Sequence, residues 1–311
     1  MIKVLFTGSG GAGIEALWRL LGDRYILHFG DADPSSINPF IPANRRHQLP
    51  WASEPDFLKK MIELCHYIKI DILIPGVDEE LLTLASNASL FAPTRLLLPH
   101  ADYVKNMLDK LSMITLLSEK KIPVPFSRSL GDEIYGINFP CISKPRRGRG
   151  SRDVRVLNSI EDAIALKSTL GPAADKILIQ DKVEGIEYTV QMVADASANL
   201  CAIVPVKIGI KRGITILAET EVETRVIKAC RAIHQAFPTV GCYNIQLMLT
   251  ARGQALPFEI NPRVSTTLCL VVAAGVDPIA IFLDGIQSDL PITFTAGIQL
   301  RRHWVNHISN K

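Results

Sequence analysis

Three side chains near the C-terminal end of the sequence have the atoms and spacing to bind a metal ion. Glu259 and Asn261 are two residues apart in the stretch "QALPFEINP", so on a strand they share one face. A four-residue hairpin loop, Ala251 to Gln254, would place Gln246 directly opposite Glu259. Their oxygen atoms suit Mg²⁺, which proteins bind through few side chains together with substrate phosphates. A lone E-x-N pair is more often a solvated strand face, so the metal hypothesis depends on its neighbours.

A cationic, glycine-containing segment lies upstream, in "SKPRRGRGSRD" from Ser143 to Asp153. Gly148 and Gly150 allow the backbone to fold close over a ligand, and the arginines around them suit polyphosphate charge. A solvated basic loop and a nucleic-acid-binding tail are the alternatives. The net charge of the whole chain is only +3, and no aromatic residue lies in this segment to stack on a base. We therefore favour a loop that covers phosphate and expect no nucleic-acid partner.

A second glycine segment opens the sequence. Gly8, Gly10 and Gly13 fit the spacing G-x-G-x-x-G, and Asp31 ends the next apolar run, which formally satisfies the dinucleotide-binding pattern. The alternative is a tight strand-to-helix turn whose amides hold another anion. Nothing downstream resembles a hydride-transfer site, so NAD remains the weaker interpretation.

The apolar periodicity indicates which elements position these segments. Short apolar runs alternate with amphipathic helices over the first hundred residues, which predicts a parallel sheet covered by helices. The pattern then changes to a small α+β unit at about 112–182, followed by two hairpins. Predicted helices include one continuous helix capped by Asp102 and ended by Pro123, one capped by Ser159 and ended by Gly171, one over residues 219–237, and one over residues 268–286.

Composition limits the class of protein. Hydrophobic residues make up 48% of the 311 residues, enough for two or three packed domains. The six cysteines form no C-x-x-C pair, so buried reduced thiols are expected rather than a zinc site or disulfides. The longest apolar run is too short to span a bilayer, and no signal peptide is visible. A cytoplasmic protein without membrane contact is the expectation.

Taken in order along the chain, these segments resemble the ATP-grasp enzymes, and most closely stand-alone proteins similar to the carbamoyl-phosphate synthase large subunit. The resemblance rests on "DADPSSINPF", "IDILIPGVDEELLTLA", "LDK", "FPCISKP", "ILIQDKVEGIEYTV", "NIQLML" and "PFEINPR". It implies an ATP-grasp fold of mixed α/β and α+β class. An N-terminal Rossmann-like (pre-ATP-grasp) domain would cover residues 1–100, a lid subdomain 112–182 and a C-terminal α+β domain 183–311.

The resemblance also implies roles for particular residues. Lys144 and Arg263 would act on the reacting phosphate, and the metal ligands would be Gln246, Glu259 and Asn261. The nucleotide-binding residues would be Lys110, Lys144, Gln180, Asp181, Val183, Glu187 and Lys211. Asp181 and Val183 would meet adenine through backbone groups, and Glu187 the ribose hydroxyls. The turn from Ser9 to Gly13 would hold a carboxylate or phosphorylated substrate rather than a dinucleotide.

The function implied by the resemblance is that of an ATP-dependent carboxylate–amine ligase that works through an acyl phosphate. Its cofactors would be ATP and Mg²⁺, with Mn²⁺ as a substitute. Its substrates would be a small carboxylate and an amine, and the protein could form a homodimer. One segment departs from the family: Ile214, Ile216 and Leu217 stand where relatives often carry a polar, glycine-rich stretch. The alternatives are a carbamate-phosphorylating enzyme of carbamoyl-phosphate synthase type, an NAD-dependent oxidoreductase and a non-catalytic ATP-binding module.

Overall fold

A computed structural model describes residues 1–150, 152–285 and 292–304. The first hundred residues form a five-stranded parallel sheet, ordered β3-β2-β1-β4-β5, with helices packed on it. The predicted parallel sheet is therefore confirmed. Its elements are β1 (Lys3–Phe6), α1 (Ile14–Leu21), β2 (Ile26–Asp31), β3 (Arg46–Gln48), α2 (Phe57–Ile68), β4 (Ile72–Ile74), α3 (Asp78–Ser86) and β5 (Arg95–Leu96).

The central strands of this sheet are buried on both faces. Val4 and Phe6 of β1 pack in one apolar cluster with helix α1, whereas Leu5 packs in another with helix α2. This alternation results from the two-residue side-chain period of a strand, and it explains why β1 reads as a continuous apolar run. The glycine turn comes directly after β1, at the carboxyl edge of the sheet.

The predicted continuous helix after this sheet is wrong, because the chain forms two helices, α4 (Ala101–Met107) and α5 (Lys110–Glu119). Asp102 lies in the first turn of α4 and does not cap it. The cap is Asp109, whose side chain accepts hydrogen bonds from the backbone N–H groups of Leu111 and Ser112. The break places Lys110 at the first position of α5, and α5 ends before Pro123.

A four-stranded antiparallel sheet, ordered β6-β9-β7-β8, forms the middle of the chain. As predicted, the helix between its last two strands is capped by the Ser159 hydroxyl and stops at Gly171. Strand β6 was not predicted. The elements are β6 (Ser127–Ser129), β7 (Cys141–Pro145), β8 (Arg155–Leu157), α6 (Ile160–Leu170) and β9 (Ile177–Asp181).

The remaining described strands form a six-stranded antiparallel sheet, ordered β14-β13-β10-β11-β12-β15. Both predicted hairpins, β10–β11 and β13–β14, are present. The elements are β10 (Ile186–Ala194), β11 (Leu200–Arg212), β12 (Ile214–Thr220), α7 (Thr224–Ala236), β13 (Gly241–Leu249), β14 (Ala255–Asn261), α8 (Leu268–Ala273), α9 (Pro278–Asp284) and β15 (Gln299–Arg301).

Two helix predictions in this region need correction. Residues 219 and 220 belong to strand β12, and α7 starts only at Thr224, after the Glu223 cap. The predicted helix from Leu268 is split into α8 and α9, because Gly275 adopts a left-handed φ of 96° and Asp277 caps a new helix. Ile286, at the end of that predicted helix, lies outside the described residues.

The cysteines are buried as free thiols, as the sequence predicted. All six cysteines are buried and unpaired, and burial raises the pKa of Cys65 to about 12. Within residues 1–150, 152–285 and 292–304, no helix has the length and apolar character needed to cross a bilayer. The proposed domain boundaries at 100, 112 and 183 stay a prediction.

Candidate active site

A cavity of about 790 Å³ brings the predicted site residues together. It lies where the middle sheet, the six-stranded sheet and helix α3 approach one another. Its lining includes every predicted catalytic, nucleotide-binding and metal-binding residue: Lys110, Lys144, Gln180, Asp181, Val183, Glu187, Lys211, Gln246, Glu259, Asn261 and Arg263. Among the described lining residues, eight side chains are cationic and five are anionic, a surplus that favours a polyanionic ligand.

The β13–β14 hairpin aligns the candidate metal ligands. Gln246 pairs with Glu259, as predicted, but the loop and the register of the hairpin differ from the prediction. The last pair before the loop is Leu249 with Ala255, which makes the loop one residue longer than expected. A bulge at Phe258 then restores the expected register, because Leu247 pairs with Pro257 and Gln246 pairs with Glu259.

The candidate metal ligands of this hairpin carry oxygen atoms of the type that a hard cation binds. Asn261 donates from Nδ2 to Asn244 Oδ1 at 3.2 Å, which leaves its own Oδ1 as the atom to bind a cation. Asn244 in turn donates to the carbonyl of Arg263 at 2.9 Å. One carboxylate and two amide oxygens match a cation that also takes phosphate oxygens. In the described chain, no cluster of three His, Cys, Asp or Glu side chains offers an all-protein metal site.

Lys110 and Lys144 flank these oxygen atoms. Lys110 Nζ lies 3.6 Å from Glu259 Oε1 and donates to the carbonyl of Gly148 at 2.8 Å. Lys144, only 7% exposed, donates to Gln180 Oε1 at 3.0 Å and to the carbonyl of Phe258 at 3.2 Å. Burial lowers the pKa of Lys144 to about 8, although Glu259 opposes this effect. The ammonium group thus lacks a full anionic partner.

Lys211 bridges two of the other predicted residues. Its Nζ lies 2.6 Å from Glu187 Oε1 and donates to Gln246 Oε1 at 3.2 Å. The apolar residues from Ile214 onward, where the sequence departs from the family, form strand β12, which pairs with β11. Lys211 belongs to β11 and still lines the cavity.

The segment Gln180 to Val183 leaves strand β9 along the cavity wall. Gln180 donates to Ser127 Oγ at 2.7 Å while its Oε1 accepts from Lys144. The carboxylate of Asp181 is occupied by the backbone and side chain of Asn138, both at 2.9 Å. Its side chain is thus used within the protein, which agrees with a backbone role at the nucleotide.

Arg263 reaches the cavity from the segment that follows strand β14. Strand β14 ends at Asn261, and the N–H of Arg263 turns back to the Asn261 carbonyl at 2.7 Å. Its guanidinium donates to Asp78, the first residue of helix α3, and to the Val264 carbonyl at 3.1 Å. Both side chains of this pair are largely buried, so the pair joins the hairpin to the N-terminal sheet.

Three arginines of the loop from Ser143 to Asp153 pair with two carboxylates of the protein. Arg146 forms two hydrogen bonds to Asp109, at 3.0 and 3.1 Å, and Arg147 lies 3.7 Å from the same carboxylate. Arg149 lies 3.1 Å from Glu79 of helix α3. The sequence analysis did not identify Asp78, Glu79 or Asp109 as partners of arginines. Only Asp109 had a local signal, because aspartate is a favoured residue at the start of a helix.

The N-terminal glycine turn has little room for a dinucleotide. Gly10 donates to Asp31 Oδ2 at 2.8 Å, and a Cβ at Gly10 would lie 2.1 Å from Ser36 Oγ. Asp31 also accepts from the N–H of Asp33 at 3.1 Å, so its carboxylate is used by the protein itself. A small pocket of about 60 Å³ remains between this turn and the segment after Arg263.

Comparison with known proteins agrees with this architecture. Residues 173–306 match a family described as ATP-grasp in the biosynthetic pathway with Ter operon. No curated protein matches the sequence. Among solved structures, a 2-oxoglutarate carboxylase biotin carboxylase domain from Hydrogenobacter thermophilus, in complex with MgADP, ADP and bicarbonate, superposes with a TM-score of 0.66 at 14% identity. That match covers 93% of this chain and 71% of the other.

Two further structures are similar. An L-amino acid ligase from Bacillus licheniformis has a TM-score of 0.67 at 14% identity, with 91% of this chain and 73% of the ligase covered. Pyruvate carboxylase from Rhizobium etli has a TM-score of 0.67 at 17% identity over 94% of this chain. This chain spans only 29% of that carboxylase. The chain has the ATP-grasp fold, which confirms the resemblance to the ATP-grasp enzymes, whereas the closer likeness to carbamoyl-phosphate synthase stays a prediction.

Proposed function

We propose that this protein is an ATP-dependent ligase that joins a small carboxylate to an amine through an acyl phosphate. One observation carries the proposal. Two lysines, Lys110 and Lys144, converge in one cavity with the oxygen-bearing side chains of Gln246, Glu259 and Asn261. The names of the matched biotin carboxylase domain and L-amino acid ligase support the same class of chemistry.

ATP and Mg²⁺ are the expected cofactors, with Mn²⁺ as a substitute. The oxygen atoms of Gln246, Glu259 and Asn261 fit a hard divalent cation, and that cation would supply charge neutralisation at the β- and γ-phosphates. Glu187 and the segment from Gln180 to Val183 would bind the nucleoside end of ATP.

The protein's own residues would then stabilise the transfer. A carboxylate oxygen of the substrate attacks the γ-phosphorus, the bond to the bridging oxygen breaks, and ADP leaves. Lys110, Lys144 and Arg263 would offset the negative charge on the phosphoryl oxygens, which is the main requirement of this reaction. The amine next attacks the acyl carbon, loses a proton, and releases phosphate as the C–N bond forms. No nucleophilic side chain is needed.

Three alternatives would leave different signatures. A carbamate-phosphorylating enzyme of carbamoyl-phosphate synthase type would use ammonia and carbamate. A non-catalytic ATP-binding module would bind Mg-ATP without turnover, but the retention of Lys211 in the cavity removes one reason for it. An NAD-dependent oxidoreductase is disfavoured because Asp31 and Gly10 bind each other at the glycine turn. A cytoplasmic location, a homodimer and the lack of a nucleic-acid partner remain predictions.

Thermal-shift and phosphate-release assays test the proposal. Mg-ATP should raise the melting temperature and NADH should not. Phosphate release should then appear in a screen of amino acids and other carboxylates, each with and without an amine acceptor. Stabilisation by NADH alone would overturn the proposal, and Mg-ATP binding without turnover across a broad screen would favour the non-catalytic module.

A further inference from the structure

Arg149 has a donor group that the protein itself does not satisfy. Its Nε is buried and has no hydrogen-bond partner among the described residues, although the side chain lines the cavity. One of its other nitrogens, Nη2, lies 3.1 Å from Glu79 Oε2. A buried guanidinium N–H without an acceptor costs free energy, so its presence in a residue that lines the cavity calls for an explanation. Neither the family match nor the fold assigns a role to this residue.

Two glycines flank Arg149 and set the path of the backbone around it. Gly148 and Gly150 both adopt left-handed conformations, with φ values of 124° and 71°, and a Cβ at either would meet nothing within 4 Å. These glycines are therefore needed for the path of the backbone rather than for close packing. Arg147, one residue before this turn, is 66% exposed at its side chain, whereas the side chain of Arg149 is 36% exposed.

Arg149 follows a residue, Gly148, that lies at the predicted metal-binding end of the cavity. The carbonyl of the preceding residue, Gly148, accepts from Lys110 Nζ at 2.8 Å, and the same Nζ lies 3.6 Å from Glu259. Arg149 therefore extends from a backbone point that is fixed beside the predicted ligand of Mg²⁺. In the proposed function, the phosphoryl group that moves from ATP to the carboxylate lies at this end.

Helix α3 holds two guanidinium groups at the same wall. Its first two residues, Asp78 and Glu79, pair with Arg263 and Arg149 respectively. The start of α3 is anchored to the residue that follows β1 and to its own preceding turn: the next residue, Glu80, is buried and accepts hydrogen bonds from the Thr7 hydroxyl and from two backbone N–H groups just before α3, at 3.1 and 3.2 Å. Two guanidinium groups with fixed positions suit an oxyanion that carries several oxygen atoms.

We propose that Arg149, positioned by Glu79, binds the oxygen atoms of the phosphoryl group that is transferred. This inference rests on the proposed function. The same phosphoryl oxygens belong to ATP before transfer and to the acyl phosphate after it, and the chemistry of recognition is the same in both. Arg149 is thus a phosphoryl-binding residue in addition to Lys110, Lys144 and Arg263.

Binding measurements on the full chain distinguish whether Arg149 binds the phosphoryl group in ATP, before transfer, or after transfer. The probes are AMP-PNP with Mg²⁺, ADP with Mg²⁺, and inorganic phosphate in the presence of MgADP. Arg149→Ala should weaken AMP-PNP about tenfold to a hundredfold if the γ-phosphoryl group is bound in the nucleotide, and phosphate by a similar factor if it is bound after transfer. MgADP affinity should stay within about twofold, because ADP lacks that group.

Two further variants sharpen the result. Arg155→Ala is the matched control, since this exposed arginine begins strand β8 of the middle sheet and lies outside the cavity lining. It should leave all three affinities unchanged. Glu79→Gln keeps the length of the side chain and removes its charge, so it should weaken AMP-PNP or phosphate less than Arg149→Ala does.

The outcomes separate this inference from the proposed function. If the wild-type protein binds neither MgADP nor AMP-PNP, the proposed function fails. If it binds both, and Arg149→Ala changes neither AMP-PNP nor phosphate affinity by more than about twofold, the role of Arg149 is refuted while the proposed function stands. If Arg149→Ala weakened MgADP as much as AMP-PNP, the role of Arg149 would also be refuted, because the substitution would then have a general effect on the site.

Discussion

Replacing Lys144 by glutamine should change how the stability of the protein depends on pH. Burial lowers the pKa of Lys144 from 10.5 to about 8. Because one pKa unit is equivalent to about 1.4 kcal/mol, keeping this side chain charged in the folded protein costs about 3 kcal/mol of stability at neutral pH. The side chain is 7% exposed, so solvent screening reduces this cost little.

The sign of the effect is set by proton binding. Between pH 8 and 10.5 the unfolded chain holds the lysine proton and the folded chain does not, so the free energy of unfolding rises with pH. The cost is fully present below pH 8 and is relieved as the pH approaches the unfolded value. Between pH 7 and pH 10 the wild-type protein should gain about 2–3 kcal/mol relative to Lys144→Gln. The comparison cancels the titration of groups that both proteins share.

Urea unfolding at pH 7, 8, 9 and 10 measures this difference. Glutamine can still donate one hydrogen bond to Gln180 or to the Phe258 carbonyl, which limits the constant offset between the two proteins. The variant should also lose nearly all ATP turnover. Parallel stability profiles for the two proteins would refute the reasoning, since they would mean that Lys144 has an ordinary pKa in the folded state.

The remaining predictions concern the other charges of the cavity. Glu259→Gln should lower ATP turnover at least a hundredfold with an unchanged circular dichroism spectrum, because an amide lacks the charge that holds Mg²⁺; activity within a few-fold of wild type would make Glu259 an ordinary strand residue. Asp109→Ala should reduce the free energy of unfolding by about 1 kcal/mol through loss of the α5 cap, and should raise the KM for ATP because Lys110 begins that helix; an unchanged KM would contradict this link. Arg147→Ala should change turnover less than twofold, because an exposed ion pair such as that of Arg147 with the Asp109 carboxylate, 3.7 Å apart, contributes little; a tenfold loss would contradict this.

The sequence predicted contacts that depend on local periodicity. Glu259 and Asn261 had to share a strand face, and the pairing of Gln246 with Glu259 needed only the hairpin. The bulge at Phe258 was beyond such reasoning, because an extra residue in one strand depends on packing across the sheet. The expected and observed pairings agree only because the longer loop and the bulge compensate each other.

Contacts between distant segments could not be predicted. Asp78 and Arg263 are 185 residues apart, and only the packing of helix α3 against the hairpin brings them together. The same holds for Glu79 and Arg149. The break between α4 and α5 had a local signal, because aspartate is a favoured N-cap residue, but the continuous apolar stripe across the break outweighed that signal and led to the wrong prediction.

The cavity is organised so that its cations are partly neutralised by the groups that are predicted to bind ligand. Lys211 contacts Glu187 and Gln246, and Lys110 lies near Glu259. When ATP and Mg²⁺ bind, the phosphates would replace the carboxylates as partners of the lysines, and the carboxylates and amides would turn to the cation and the ribose. Each pair would thus exchange one partner for another without leaving a buried charge alone, which is the costly state.

Lys144 is the exception, because its hydrogen-bond partners are neutral oxygen atoms and burial lowers its pKa. The phosphates would supply the first full counter-charge to this lysine. We therefore expect nucleotide binding above pH 8 to take up a proton, measurable by calorimetry in buffers of different ionisation enthalpy, and expect that uptake to disappear in Lys144→Gln.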